Sequence, residues 1–211
     1  MAIVENGING GFAGKVGAVV GYMWKGKAVM RGLPKGNKGK PSFLQLQQQA
    51  KFALLHEFLQ PIISLLNLTF GTVAVQMTGY NKAFSYNVKN AIAGTHPGLF
   101  LNYSAVLVGR GDLPNVQEPA THSPSPGQLT FSWTDNSGTG SARKTDQAFV
   151  AAYCEELKQW KYAVNAAPRT AGSCKLDLTD FSGKAVQTYI GFIAADGNDV
   201  TDSLFTGMLN V

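Results

Sequence analysis

Charged residues are scarce: Asp, Glu, Lys and Arg make up 15% of the 211 residues, and mean hydropathy is −0.03. With 45% apolar residues beside them, this excludes a charge-rich disordered chain. It fits a folded protein whose surface packs against neighbours. Cysteine is nearly missing. Cys154 and Cys174 make neither a disulfide framework nor a metal-ligand set, and each reads as a buried thiol. Histidine is limited to His56, His96 and His122. None has a second His one helical turn away with which to clasp zinc. The most apolar stretch, residues 52–75, is broken by His56, Glu57, Gln60, Pro61 and Asn67, so no membrane span is expected. Residues 1–21 lack the basic start and apolar core of a secretion signal. The expected location is cytoplasmic, or within an assembly such as a virion.

Catalytic motifs are equally sparse. Gly14-Lys15 invites a phosphate-loop reading, but Asn9 stands where the motif needs its first Gly, and Val16 where it needs a hydroxyl for Mg²⁺. No Gly-x-Ser-x-Gly elbow occurs. Asp196-Gly197-Asn198-Asp199 offers oxygen ligands of the kind Ca²⁺ takes, yet it is foremost a turn signal. Arg110-Gly111-Asp112 spells an adhesion tripeptide and reads as an interdomain turn. The sequence therefore predicts no catalytic residue, no metal and no cofactor.

What is present is concentrated at the start. Residues 1–40 hold seven of the 18 Lys and Arg and one of the 13 Asp and Glu, a net of +6 against −1 for the rest. The same segment holds ten of the 24 glycines. Glycine loses the most freedom on folding, so such a segment takes a fixed shape only by docking on something. Val16, Ala18 and Val20 alternate with small residues and lead into Tyr22-Met23-Trp24; Lys25-Gly26 can turn, and residues 27–31 return. This predicts one hairpin over 15–32. Residues 33–41 read as a linker.

A helix is predicted from Ser42, which can cap with Gln45 at capping-box spacing, and Pro61 ends it before a short second helix through Leu68. A further helix is expected over 81–93, and strand-like composition over 99–108, notably 104–108. From Leu113 onward, period-two runs follow one another. They cover 129–133, 147–153, 159–165, 174–178, 186–195 and 203–210, with an edge strand near 115–120. Such spacing argues for a seven-stranded two-sheet sandwich.

Residues 113–211 resemble a fibronectin type III domain. Leu113-Pro114-Asn115-Val116 matches its opening strand, and Gln128 through Thr134 its second strand with Trp133. Leu178 through Gly183, then Tyr189, Ile193 and Ala195, resemble its corner tyrosine and following strand. The resemblance implies that Trp133 and Tyr189 are core residues. Over the whole chain, Gly14-Lys15-Val16-Gly17, Val19-Val20-Gly21, Trp24-Lys25-Gly26-Lys27, Arg31, Pro34, Pro41-Ser42 and the ending 202–207 resemble a Bacteroidota family of unknown function of about this length. That family implies no activity.

The expected fold class is α+β: a β-hairpin arm over 1–34, a helical and mixed domain over 35–112, and the sandwich over 113–211. The expected function is that of a non-enzymatic structural protein. It would self-assemble, as a filament or virion-like shell, through an arm interface of Val19, Tyr22, Trp24 and Met30, giving a homo-oligomer by strand addition or arm exchange. The alternative is a module that contacts nucleic acid or another polyanion through Lys15, Lys25, Lys27, Arg31, Lys35, Lys38 and Lys40. A third option is a carbohydrate platform of Trp160 and Tyr162.

Overall fold

A computed structural model describes residues 2–4, 10–24, 26–33, 36 and 39–211. The chain divides into two compact units, residues 1–41 and 42–211.

The first unit is a four-stranded antiparallel meander of β1 (Ala2–Val4), β2 (Phe12–Val16), β3 (Val19–Trp24) and β4 (Lys27–Gly32), in that order. It differs from the single hairpin expected. Gly17 adopts φ +54°, and with Ala18 it makes a two-residue turn joining Val16 to Val19. A left-handed residue at the tip is what a tight hairpin needs. The predicted strand across residues 16–24 is therefore two strands.

In the second unit, α1 (Phe43–Leu59) starts as predicted. The Gln45 N–H donates to Ser42 Oγ at 3.3 Å, and the Ser42 N–H donates to Gln45 Oε1 at 2.8 Å. Pro61 falls in a 3-10 turn, after which α2 (Ile63–Thr69) continues. Helix α3 (Gly79–Asn90) is capped by Thr78 and begins before the expected 81. Two short strands, β5 (Ile92–Ala93) and β6 (Phe100–Leu101), pair antiparallel.

Residues 104–108 are not a strand. Tyr103–Ala105 forms a 3-10 turn, and side chains satisfy the backbone beyond it. Asn87 Nδ2 donates to the Leu107 carbonyl at 2.9 Å, and the Leu107 N–H donates to Asn87 Oδ1 at 2.9 Å. Thr69 Oγ1 donates to the Val108 carbonyl at 2.6 Å, and the Val108 N–H donates to Ser203 Oγ at 2.9 Å. Asn87, Thr69 and Ser203 are buried for this reason: a buried backbone group left unpaired costs more than the polar side chain that pairs it.

The sandwich follows. Strands β7 (Gln117–Ser125), β8 (Gln128–Thr134) and β11 (Ser173–Asp177) form a sheet in the order β11-β8-β7. Strands β9 (Gln147–Cys154), β10 (Gln159–Ala163), β12 (Ala185–Ile193) and β13 (Leu204–Asn210) form a second, β10-β9-β12-β13. One core lies between the sheets and includes Leu129, Phe131, Trp133, Val150, Cys154, Cys174, Ile190 and Phe192. A second core lies between the β9-containing sheet and the helices: Phe149, Ala151, Tyr153 and Tyr189 meet Leu55, Phe58, Leu59 and Leu66.

Strand β9 is thus buried on both faces, which explains its unbroken apolar run. The shared second core also means that the boundary expected at 112/113 falls inside one compact unit. Trp133 and Tyr189 are core residues, 6% and 0% exposed, but on opposite sides of that sheet. By length and composition alone, the helical stretch Phe43–Thr69 could cross a membrane. Its second half packs on the sheet through Leu55, Phe58, Leu59, Ile62 and Leu66.

Candidate functional site

The predicted interface residues lie in the first unit, where strand register assigns each to a face. Directly paired residues of antiparallel strands share a face. Val16 pairs with Val19, Gly14 with Gly21, Gly21 with Met30, and Met23 with Ala28. These form a wholly apolar face. Lys15 pairs with Val20, Val20 with Arg31, Tyr22 with Val29, and Trp24 with Lys27. These form a basic and aromatic face, on which the Arg31 guanidinium lies 5.5 Å from the Tyr22 ring centre. The pleat therefore splits the predicted quartet. Val19 and Met30 lie on the apolar face, Tyr22 and Trp24 on the other.

Phe12 belongs to the apolar face, and its ring covers Gly21. A Cβ on Gly21 would stand 2.6 Å from Phe12 Cδ2, so only glycine permits the approach. Gly21 is also the one buried residue among residues 10–24, 26–33, 36 and 39–41. Met23 and Met30 are 63% and 68% exposed, Val16 and Trp24 54% and 56%. A sheet of short strands needs an apolar face covered to be stable in water, and Val16, Met23 and Met30 are exposed on this one.

Of the predicted polyanion contacts, Lys15, Lys27 and Arg31 share the basic face. Lys40 is exposed outside the strands. Lys25, Lys35 and Lys38 lie outside the described residues. Gly14-Lys15 sits within β2, with no helix after it.

The second unit offers a cleft of about 350 Å³ lined in part by Glu57, Phe58, Phe100, Tyr103, Tyr153 and Lys158. Lys158 Nζ binds Glu57 Oε1 at 2.7 Å across it. Burial, with the Glu155 carboxylate nearby, pushes the Tyr153 phenol up to about 12 and raises that of Tyr103. Both stay protonated near neutral pH and act as hydrogen-bond donors, not bases.

A second cleft, about 200 Å³, includes Asp146, Asp196, Asn198 and Asp199. Here Asp196 Oδ1 accepts the Asn198 N–H at 3.0 Å, and Asp199 Oδ1 accepts that of Asp112 at 3.1 Å. The segment is a turn, and hydrogen bonds from Asn198 lower the Asp196 carboxyl below the usual range. Among the described residues no cluster of His, Cys, Asp and Glu is arranged to hold a metal.

Trp160 packs on the sandwich, against Tyr153 and Tyr189 on the helix-facing side of the β9-containing sheet. Its ring lies 4.9 Å from Phe58 and 5.1 Å from Tyr153, and its Nε1 donates to the Phe58 carbonyl at 2.8 Å. Contacts with the helical layer leave it half-buried, so it does not present the open ring face that a sugar platform needs. Cys154 and Cys174 are free buried thiols, and burial pushes Cys174 up to about 11.

The layers define an α+β protein with a β-sandwich, one sheet of which is covered by helices, preceded by a compact strand unit. The chain belongs to the DUF6266 family of unknown function, whose model matches residues 11–207. Among curated proteins, none matches it. Among solved structures it is similar to the fn3 domain of the human collagen alpha-1(XX) chain, at 14% identity and TM-score 0.36, covering 46% of this chain and 84% of that one. It is also similar to the chicken CNTN1 FN1-FN3 domains, at 8% identity and TM-score 0.33, covering 48% of this chain and 32% of that one.

Proposed function

We propose that this chain is a non-enzymatic structural subunit that self-associates through its N-terminal unit, building a filament or a virion-like shell. The observation that carries the reading is the apolar face shared by Val16, Val19, Met23 and Met30, of which Val16, Met23 and Met30 are exposed. The occupant is a second copy of the chain. The N-terminal segment carries +6 and the remainder −1, so attraction between unlike parts of two copies favours that partner. The exposed first half of α1 is a further apolar surface for such contacts, with Phe43 and Leu44 60% and 73% exposed. Burying a Met side chain contributes about 1.5–3 kcal/mol, so Met23 and Met30 of each copy offset part of the cost of association. A contact between unlike surfaces whose rotation does not close gives filaments. Electron microscopy of the purified chain tests the reading: filaments or shells support it, and separate particles of 22.5 kDa reject it.

The opposite face favours a second reading, binding of nucleic acid or another polyanion. Lys15, Lys27 and Arg31 are interleaved there with Tyr22 and Trp24, cations for phosphates beside rings for bases. Affinity would then fall steeply with salt. Binding unchanged between low and high salt, or none at low salt, rejects it.

A further inference from the structure

A basic pocket lies on α3, within the second unit and apart from the surfaces discussed above. Lys82, Ser85, Tyr86, Lys89 and Asn90 recur along α3 at the spacing of one helix face. Arg110 joins them from the segment after α3, and together they line an open pocket of about 270 Å³. No acidic residue lines it. Among the described residues, Lys82, Lys89 and Arg110 form no ion pair, as is true also of Lys51, Arg143, Lys144 and Lys175 of the same unit.

Two features set this pocket apart from a solvated lysine face. The first is preorganisation. The Arg110 guanidinium lies 4.8 Å from the centre of the Tyr86 ring. Its backbone is fixed as well: the Arg110 N–H donates to the Thr69 carbonyl at 3.1 Å, and the Gly111 N–H to Asp202 Oδ1 at 3.3 Å. A stacked guanidinium keeps its N–H edge free as a planar fork, the geometry that grips phosphate oxygens in pairs. The second is the position of Lys82. It lies in the opening turns of α3, whose first turn has no acid. A cation there opposes the helix dipole, and an anion beside it relieves the conflict. Lys89, in the last turn, suits the dipole without any ligand.

We infer that this pocket binds a phosphoryl group. Three cations and the Ser85 hydroxyl, a further donor, match the several oxygens of a phosphoryl group better than the two of a carboxylate. The group could be carried by a small phosphate ester or by a nucleic-acid backbone.

Equilibrium dialysis of the full chain against labelled inorganic phosphate tests the site. Saturable binding is expected, with a dissociation constant of about a millimolar. It is expected to weaken about tenfold or more in Lys82→Gln and in Arg110→Gln. Lys175→Gln, an exposed change elsewhere in the unit, should leave it unaltered. So should Lys15→Gln/Lys27→Gln, which separates this site from the basic face of the N-terminal unit. Competition then identifies the source. A short single-stranded oligonucleotide that displaces phosphate far below the concentration needed of glycerol phosphate points to a polymer backbone, and the reverse points to a small ester. Absence of saturable binding, displacement by acetate as effective as by phosphate, or wild-type binding in both pocket variants would overturn the inference. Lys82→Gln alters only a partly exposed helix position and keeps the test decisive should Arg110→Gln fail to fold.

Discussion

Arg169 and Asp146 meet inside the sandwich, Nε to Oδ2 at 3.1 Å, with both side chains fully buried. The other guanidinium nitrogens donate to Asn136 Oδ1 at 2.6 Å and to the Pro114 carbonyl at 3.2 Å. The guanidinium also lies 4.0 Å from the centre of the Phe192 ring, and the Arg169 carbonyl accepts from Trp133 Nε1 at 2.7 Å. One residue thereby ties the loop after β8 to the start of β9 and to the core tryptophan.

Removing one partner strands the other charge in the core. Arg169→Met is expected to cost about 3–5 kcal/mol, and Arg169→Met/Asp146→Leu to recover part of it. Urea unfolding followed by tryptophan fluorescence measures both. A single variant as stable as the wild type would contradict the account of this pair.

Asn87 closes the layer between helices and sheet, because its amide serves both backbone groups of Leu107. Asn87→Leu leaves a buried N–H and carbonyl unpaired and is expected to cost about 2–4 kcal/mol. Because the helices and the sandwich share a core, unfolding followed by far-ultraviolet circular dichroism and by fluorescence should give one coincident transition. Two separated transitions within residues 42–211 would show that the helical layer folds alone.

The thiols give a pH prediction. Burial raises the Cys174 pKa to about 11, so the folded state favours the protonated thiol. The unfolded chain ionises near the ordinary thiol value of roughly 8.5. Between these values the native state holds more protons than the unfolded one, so stability is full below the lower value. It falls as pH rises toward the upper one, by on the order of 3 kcal/mol. Cys174→Ala should flatten that fall. At neutral pH neither thiol should react with a disulfide reagent until urea unfolds the chain.

Much of this architecture could be read from local pattern. Ser42 and Gln45 at capping-box spacing marked the start of α1, and period-two runs marked the sandwich strands. What escaped was nonlocal. Residues 104–108 have a strand-like composition, but Asn87, Thr69 and Ser203, distant in sequence, provide their hydrogen bonds. The Gly17-Ala18 turn was hidden because alternation of valines with small residues continues through it. The separation of Val19 and Met30 from Tyr22 and Trp24 follows from odd and even positions along β3 and from its register with β4. The unbroken apolar run of β9 did carry a signal, burial on both faces, which a period-two reading of 147–153 passes over. The Arg169–Asp146 pair left no trace, since nothing local distinguishes a buried arginine.

Gly21 tests whether the fold of the N-terminal unit matters for association. Gly21→Val places side-chain atoms where the Phe12 ring lies, and it should unseat β2 from β3. Limited proteolysis should then cut within residues 10–33 while residues 42–211 stay intact. Unchanged resistance would mean that Phe12 does not close over this position.

The most direct measurement compares the two faces of the N-terminal sheet in the full chain, by sedimentation equilibrium. Met23→Lys/Met30→Lys changes exposed side chains on the apolar face, and Tyr22→Ser/Trp24→Ser does the same on the basic one. The account predicts that the wild type and the second variant sediment as multimers, and the first as a 22.5 kDa species. A wild type that sediments at 22.5 kDa, or a first variant as large as the wild type, would contradict it.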